Sequence, residues 1–397
     1  MLQDQRKRFG EKIYPWILVL LPVLSQYKLG PLDMDVVVMA IFFVLACWRK
    51  RIIQLTPINK MVTVLFVYTA AITAINIAIG HKYSPTGDIV LRAGRYCLYL
   101  LVVFYLGNDC LDYDRLMKVY RVVAYAATFY IMLQAVFYYG AGIVLPSRIG
   151  GNTGTSQGDV GRLRSFYSEP SVLGYALTPF VICNLFGKNY KDKQSSIDAI
   201  LVSAGVITST SGQGILALAA TWVCWLILRM IRGEFKTRDL LLIVGIGAVI
   251  ILLFNTGILG FALDRASDTE KGGAIDARMS GYEALRALSP LQLLFGSGFG
   301  NYIVANLYGL DVFYEFVNYS SLAEFLFTLG IAGTLLWVSF LLRLAWKGNA
   351  CVRVMLIAMA VLSWSGCPLS GLFFPLWLSL ICLQLPAGQF SRQTSTT

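Results

Sequence analysis

Apolar runs long enough to cross a bilayer recur along most of this chain, and that recurrence constrains the fold more than any single motif. A transmembrane helix needs about 20 apolar residues for a hydrocarbon core of about 30 Å, and shorter runs are tolerated when buried. About twelve runs qualify by that measure. They lie at roughly 13–27, 34–48, 61–80, 89–107, 119–145, 170–187, 197–211, 213–230, 239–262, 319–342, 354–367 and 370–386. Composition agrees. Charged residues make up 14% of the chain and mean hydropathy is +0.65, whereas soluble chains carry about 25% charge. A large soluble enzyme, a disordered chain and a fibrous chain are thereby excluded. The expected fold class is an all-α integral membrane protein, a single polytopic domain over 1–397.

Net charge is +11, from 33 Lys+Arg against 22 Asp+Glu. In a membrane protein, position must be read before partner, because short cytoplasmic loops collect Lys and Arg. With the N-terminus inside and the runs alternating, 22 of the 33 basic residues fall on inside segments. Position therefore accounts for the surplus, no nucleic-acid partner is implied, and both termini are expected to be cytoplasmic. The eight cysteines sit mostly in apolar runs without CxxC spacing. They read as small core hydrophobes, neither a disulfide framework nor a zinc site.

The basic residues left on the outer side are mostly arginine: Arg92, Arg95, Arg148, Arg162, Arg164, Arg265, Arg278 and Arg286, with Lys28, Lys82 and Lys271. Arginine presents a planar fork that grips phosphate bidentately. An anionic ligand on that side is one reading, and salt bridges to Asp159, Asp264, Asp268, Asp276 and Glu283 are the other.

Two outer connections are long, 146–169 and 263–318, and long loops in compact proteins often carry function. In the second loop, Met279, Tyr282, Leu285, Leu288 and Leu291 recur at three-residue steps, which suggests an amphipathic helix stopped by Pro290. Arg278, Tyr282 and Arg286 would share one face of it, with Glu283 nearby. The following Gly-Ser-Gly-Phe-Gly-Asn-Tyr stretch reads as a flexible turn. It does not read as a nucleotide loop, because the GxGxxG spacing is incomplete and no strand precedes it.

Charges inside or beside the spans are costly and mark candidate sites. Arg92 and Arg95 sit in the outer half of the fourth run, where snorkelling is the alternative. Glu169 precedes Pro170 at a helix start, so it either caps the helix or orients a hydroxyl. Glu324 lies within an apolar run and needs a partner. Tyr167, Tyr282, Tyr302 and Tyr319 offer faces for sugar stacking, or else anchor the membrane interface. The lone His81 reads as an interface histidine. Ser209, Ser211 and Gln213 form a polar turn.

Four patches resemble one family. Arg164-Ser-Phe-Tyr-Ser-Glu169-Pro170-Ser-Val-Leu-Gly resembles the pre-span motif of bacterial O-antigen and exopolysaccharide polymerases, and Ser209-Thr-Ser-Gly-Gln-Gly214 looks like their Ser/Thr-rich turn. Arg278-Met-Ser-Gly-Tyr-Glu-Ala-Leu, followed by Leu294-Phe-Gly-Ser-Gly-Phe-Gly-Asn301-Tyr302, looks like the large periplasmic loop shared by O-antigen polymerases and ligases. Asn318-Tyr-Ser-Ser-Leu and Leu329-Gly-Ile-Ala-Gly333 resemble the span after that loop. Ligases of this superfamily usually carry a His-Asn pair at the last patch. Here Asn318 follows Val317, which favours the polymerase.

The resemblance implies a GT-C-like, metal-independent glycosyltransferase of the bacterial inner membrane, without cofactor and with a periplasmic site. Its substrates would be glycans linked to undecaprenyl pyrophosphate, among membrane lipids, with a chain-length regulator as a protein partner. Glu169, Arg278 and Arg164 are the expected catalytic residues. Arg162, Arg286, Arg95 and Arg92 would hold the pyrophosphate. Tyr167, Tyr282, Tyr302, Asn318, Tyr319 and Glu324 would contact sugar. An O-antigen ligase acting on lipid A–core is the nearest alternative. A lipid-linked oligosaccharide flippase is a further one, although midplane polar residues and internal repeats are not evident in the sequence.

Overall fold

The computed structural model describes residues 2–29, 32–49, 57–106, 112–147, 163–188, 192–237, 274–303, 319–366 and 373–385. In chain order the α-helices are α1 (Leu2–Leu24), α2 (Met34–Arg49), α3 (Pro57–Ala78), α4 (Thr86–Leu106), α5 (Tyr113–Ala141), α6 (Pro170–Phe186), α7 (Lys193–Thr208) and α8 (Gly212–Ile231). After them come α9 (Ala274–Glu283), α10 (Pro290–Phe295), α11 (Ser321–Lys347), α12 (Ala350–Ser365) and α13 (Phe374–Leu383). A short antiparallel ribbon, Lys28–Leu29 with Leu32–Asp33, joins α1 to α2. The run at 239–262 lies outside the described residues, and each of the other runs falls on a helix.

The protein is mostly helical, and among the described residues four helical stretches are long and apolar enough to span a membrane: Lys60–Ala78, Tyr113–Ala141, Gly212–Ile231 and Ser321–Lys347. Shorter apolar helices pack among them, including Pro170–Phe186 and Ala350–Trp364. Helix α6 is the centre of the bundle. It is buried from Leu173 to Leu185 and packs on α5, α7, α8 and α12. A helix that is apolar on every side has no face to give to water, so it must sit inside. Gly174 on α6 and Gly214 on α8 let these two helices touch, since a Cβ on Gly174 would lie 2.7 Å from the Gly214 Cα. Such close contact through small residues is how helices associate in lipid.

One helix is broken. Gly330 in α11 has φ +67° and ψ −174°, a conformation essentially restricted to glycine. The break receives the residues after α10, where Gly296 has φ +96° and ψ 161°. A Cβ on Gly330 would lie 2.4 Å from the Gly296 nitrogen, and one on Gly296 would lie 2.2 Å from the Thr328 oxygen. The two backbones therefore meet with no room for a side chain on either.

The second long loop departs from expectation in a related way. Helix α9 ends at Glu283, a 3₁₀ turn covers Ala284–Ala287, and Pro290 opens a new helix instead of only stopping the old one. Ser289 caps it in a reciprocal capping box with Gln292. Proline suits this first position because its missing N–H would have had no helical partner.

Gly330→Ala should cost on the order of 1–3 kcal/mol from the backbone conformation alone, with the overlap at Gly296 adding to it. Gly212→Ala should be neutral or stabilising, because a Cβ there meets nothing within 4 Å. Thermal unfolding of both variants in detergent checks this. Equal melting temperatures would contradict it.

Candidate functional site

The glycine-rich turn organises one end of the bundle. Gly296, Gly298 and Gly300 all have positive φ, which bends the chain into a compact loop between α3, α4 and α11. The Ser297 and Gly298 amides donate to the Phe327 and Thr328 carbonyls at 3.0 and 2.9 Å. These acceptors lie beside the break at Gly330. The Tyr68 hydroxyl on α3 is 2.9 Å from both the Phe295 and the Leu329 carbonyls, and Thr73 Oγ1 accepts from the Phe299 amide at 2.8 Å. Asn301 completes the loop. Its Oδ1 accepts from the Tyr83 amide at 2.7 Å, and its Nδ2 donates to the carbonyls of His81 and Ser297 at 2.8 and 2.7 Å. The sequence suggested a flexible turn. The structure instead shows residues 296–301 buried and bonded to three helices, because each freed carbonyl of the broken helix needs a donor.

That loop delivers Tyr302 to a polar cluster. The Arg92 guanidinium lies 4.6 Å above the Tyr302 ring and donates to the Gly300 carbonyl at 3.3 Å. Tyr302 packs against Tyr319 at 5.1 Å between ring centres. Glu324, in the first turn of α11 and 9% exposed, has Tyr319 and Tyr96 as electrostatic neighbours. Tyr282 on α9 adjoins the same helix start, with its hydroxyl 3.1 Å from Ser320 Oγ and its ring against Trp364. A cation, several phenols and a buried carboxylate thus converge where α4 and α11 begin.

Other expected residues are placed differently. Arg95 is bound on both sides: its guanidinium meets Asp33 at 2.9 Å and Asp35 at 2.7 Å, and its Nε donates to the Tyr99 hydroxyl at 2.8 Å. Asp35 is fully buried and also accepts from Tyr99. The residue expected to hold pyrophosphate is thus paired with two carboxylates in this structure. Sequence reasoning missed Asp33 and Asp35. The rule that singled out Arg95, charge beside an apolar run, applies equally to them. Arg286 pairs with Glu283 at 2.8 Å on an exposed surface, where such pairs contribute little.

Arg164 is half-buried and donates to Ser147 Oγ, in the stretch after α5, at 3.0 Å and to the Ser168 carbonyl, on its own segment, at 2.9 Å. That segment is held to α5 by Ser165, whose backbone has φ +54° and whose amide donates to Gln134 Oε1 at 2.8 Å. Glu169 occupies the N-cap position of α6 without a side-chain cap bond. It is exposed and accepts from Ser171 Oγ at 3.1 Å. Tyr167 is 1% exposed and stacks on Phe166, so no open ring face remains for a sugar, and burial pushes its phenol above the usual range. Arg278 lies on α9 one helical turn before Tyr282, and its side chain is outside the described part of the structure, as are Arg162 and Asn318.

The described residues include no group of three or more His, Cys, Asp or Glu that could hold a metal ion. Comparison with known proteins leaves the site to be read from its geometry: the sequence matches no protein-family model and no curated protein.

Asp35→Ala should destabilise the protein by about 2–3 kcal/mol, because it removes the fully buried partner of Arg95 and leaves only the partly exposed Asp33 to balance it. Asp33→Ala should cost roughly 1 kcal/mol or less, since Asp33 is partly exposed. Unfolding of each variant in detergent measures the difference. Equal losses would show that burial does not set the strength of this pair.

Proposed function

We propose that this chain is an integral-membrane glycosyltransferase that joins lipid-pyrophosphate-linked oligosaccharide repeat units into a surface polysaccharide. The site would face the periplasm of a bacterial inner membrane. The observation that carries this reading is convergence. Two of the four patches that resemble the O-antigen polymerase–ligase superfamily touch each other at two points, through Tyr302 against Tyr319 and Tyr282 against Ser320, with Arg92 above Tyr302.

The chemistry suits the groups assembled there. The acceptor hydroxyl oxygen attacks the anomeric carbon of the donor sugar. The bond from that carbon to the pyrophosphate oxygen breaks, and the pyrophosphate leaves with the electron pair. The hydroxyl proton passes to a carboxylate. Preorganised cations at the leaving oxygen are the largest source of rate in such a reaction. Arg92 joins Arg278 and Arg164 as the groups assigned to that charge. Arg95 is not among them, because two carboxylates already neutralise it. The carboxylate assigned to orient the acceptor is Glu324, which lies among the tyrosines, and Glu169 takes second place because it sits exposed at a helix start. Tyr282, Tyr302 and Tyr319 supply ring faces for sugars.

Arg92→Ala and Arg278→Ala should each slow polymerisation about 10²–10³-fold, by analogy with the loss of a single oxyanion donor. Arg92→Lys should recover only part, because a point charge replaces the fork. The assay is gel laddering of purified protein with a synthetic lipid-pyrophosphate-linked repeat unit, for variants that elute like the parent. Ladders of parental length from Arg92→Ala would remove it from the site. Transfer to lipid A–core without laddering would make the chain a ligase.

A further inference from the structure

We infer that residues 290–303 form a re-entrant element, and that its helix α10 faces the hydrocarbon of the surrounding bilayer instead of the water above it. The placement of α10 depends on the membrane spans alone and not on the reaction proposed above.

The anchor points give the depth. A helix rises about 1.5 Å per residue. Gly298 sits against the Thr73 backbone and Gly296 against Thr328 and Leu329. Thr73 is five residues from the end of α3, and Leu329 is eight residues from the start of α11. The turn therefore lies about 8–12 Å below the helix ends, and α3 and α11 both contain stretches long and apolar enough to cross a membrane. Irregular backbone is tolerated at such depth only when protein satisfies its polar groups. The bonds from Ser297, Gly298, Phe299 and Asn301 meet that condition.

The outward side of α10 has the composition that lipid requires. Leu291 is 71% exposed, and Leu294 and Phe295 are each 44% exposed. Polar contacts draw the other side inward, with Gln292 Oε1 accepting from the Tyr83 hydroxyl and the Phe295 carbonyl accepting from Tyr68. The neighbouring spans also carry exposed apolar side chains, with Ile75 on α3 and Leu335 on α11 at 53% and 59% exposed. In water this face would be an exposed patch of large side chains that no described residue covers. At the depth of the turn, acyl chains cover it.

The test is collision accessibility of nitroxide labels on the full chain in lipid vesicles. Leu291→Cys and Leu294→Cys are made after alanine replaces the native cysteines, with Ile75→Cys and Arg286→Cys as lipid and water references. The expected result is high collision with oxygen and low collision with a water-soluble nickel chelate, matching Ile75. Nickel accessibility like that of Arg286 would overturn the inference, and so would protection from both reagents, which would mean that protein covers α10. Should the cysteine-free chain fail to fold, a photoreactive benzoylphenylalanine at Leu291 in the native chain should crosslink to phospholipid. Crosslinks to protein alone would overturn the inference.

Discussion

Two glycines pressed backbone to backbone hold this structure's distinctive end together. Gly330 opens α11, and Gly296 fills the opening. Breaking a helix in an apolar environment exposes carbonyls that water cannot reach, and each unsatisfied group would cost several kcal/mol. The 296–301 turn supplies the missing donors from its own amides and from Ser297 Oγ. The break and the turn therefore require each other. Everything at that end follows from their fit: Asn301 ties the start of the loop after α3, Tyr302 comes to rest under Arg92, and α11 begins with Ser320 and Glu324 facing the tyrosines.

The same end shows two fates for arginine on one helix. Arg92 and Arg95 are less than one turn apart on α4. Arg95 points toward the short ribbon before α2 and is neutralised by Asp33 and Asp35, which makes it a tie between segments. Arg92 points toward the glycine turn, where its described partners are a carbonyl and a ring. Neither partner carries a charge. A guanidinium held by neutral groups keeps its charge for an anion, whereas one held by carboxylates does not. This contrast is why Arg92, and not Arg95, is assigned to the proposed site.

Much of the helical pattern was legible in the sequence, because apolar run length reports directly on burial in lipid. The apolar run at 170–187 is helix α6, which is buried from Leu173 to Leu185. The outcome at 290–303 was not legible. Pro290 reads locally as a stop, but proline is equally at home at the first turn of a new helix, and only Ser289 with Gln292 reveals which applies. The glycines were read as flexibility, yet what they provide is access to positive φ and close approach. A local sequence window cannot tell these apart, because the partner at Gly330 is 34 residues away. The site was partly legible. Tyr282, Tyr302, Tyr319, Glu324 and Arg92 come together, while Arg95 is diverted by carboxylates whose proximity depends on the fold of α2 against α4.

A locked turn at 296–301 is the condition for this end of the bundle, and amide hydrogen exchange measures it most directly. In lipid nanodiscs the amides of Ser297, Gly298 and Phe299, which donate to Phe327, Thr328 and Thr73, should exchange as slowly as amides in the middle of α3. Exchange at the rate of an open loop would mean that the turn does not seal the break in α11. The assembly of Arg92, Tyr302, Tyr319 and Glu324 would then lose its foundation.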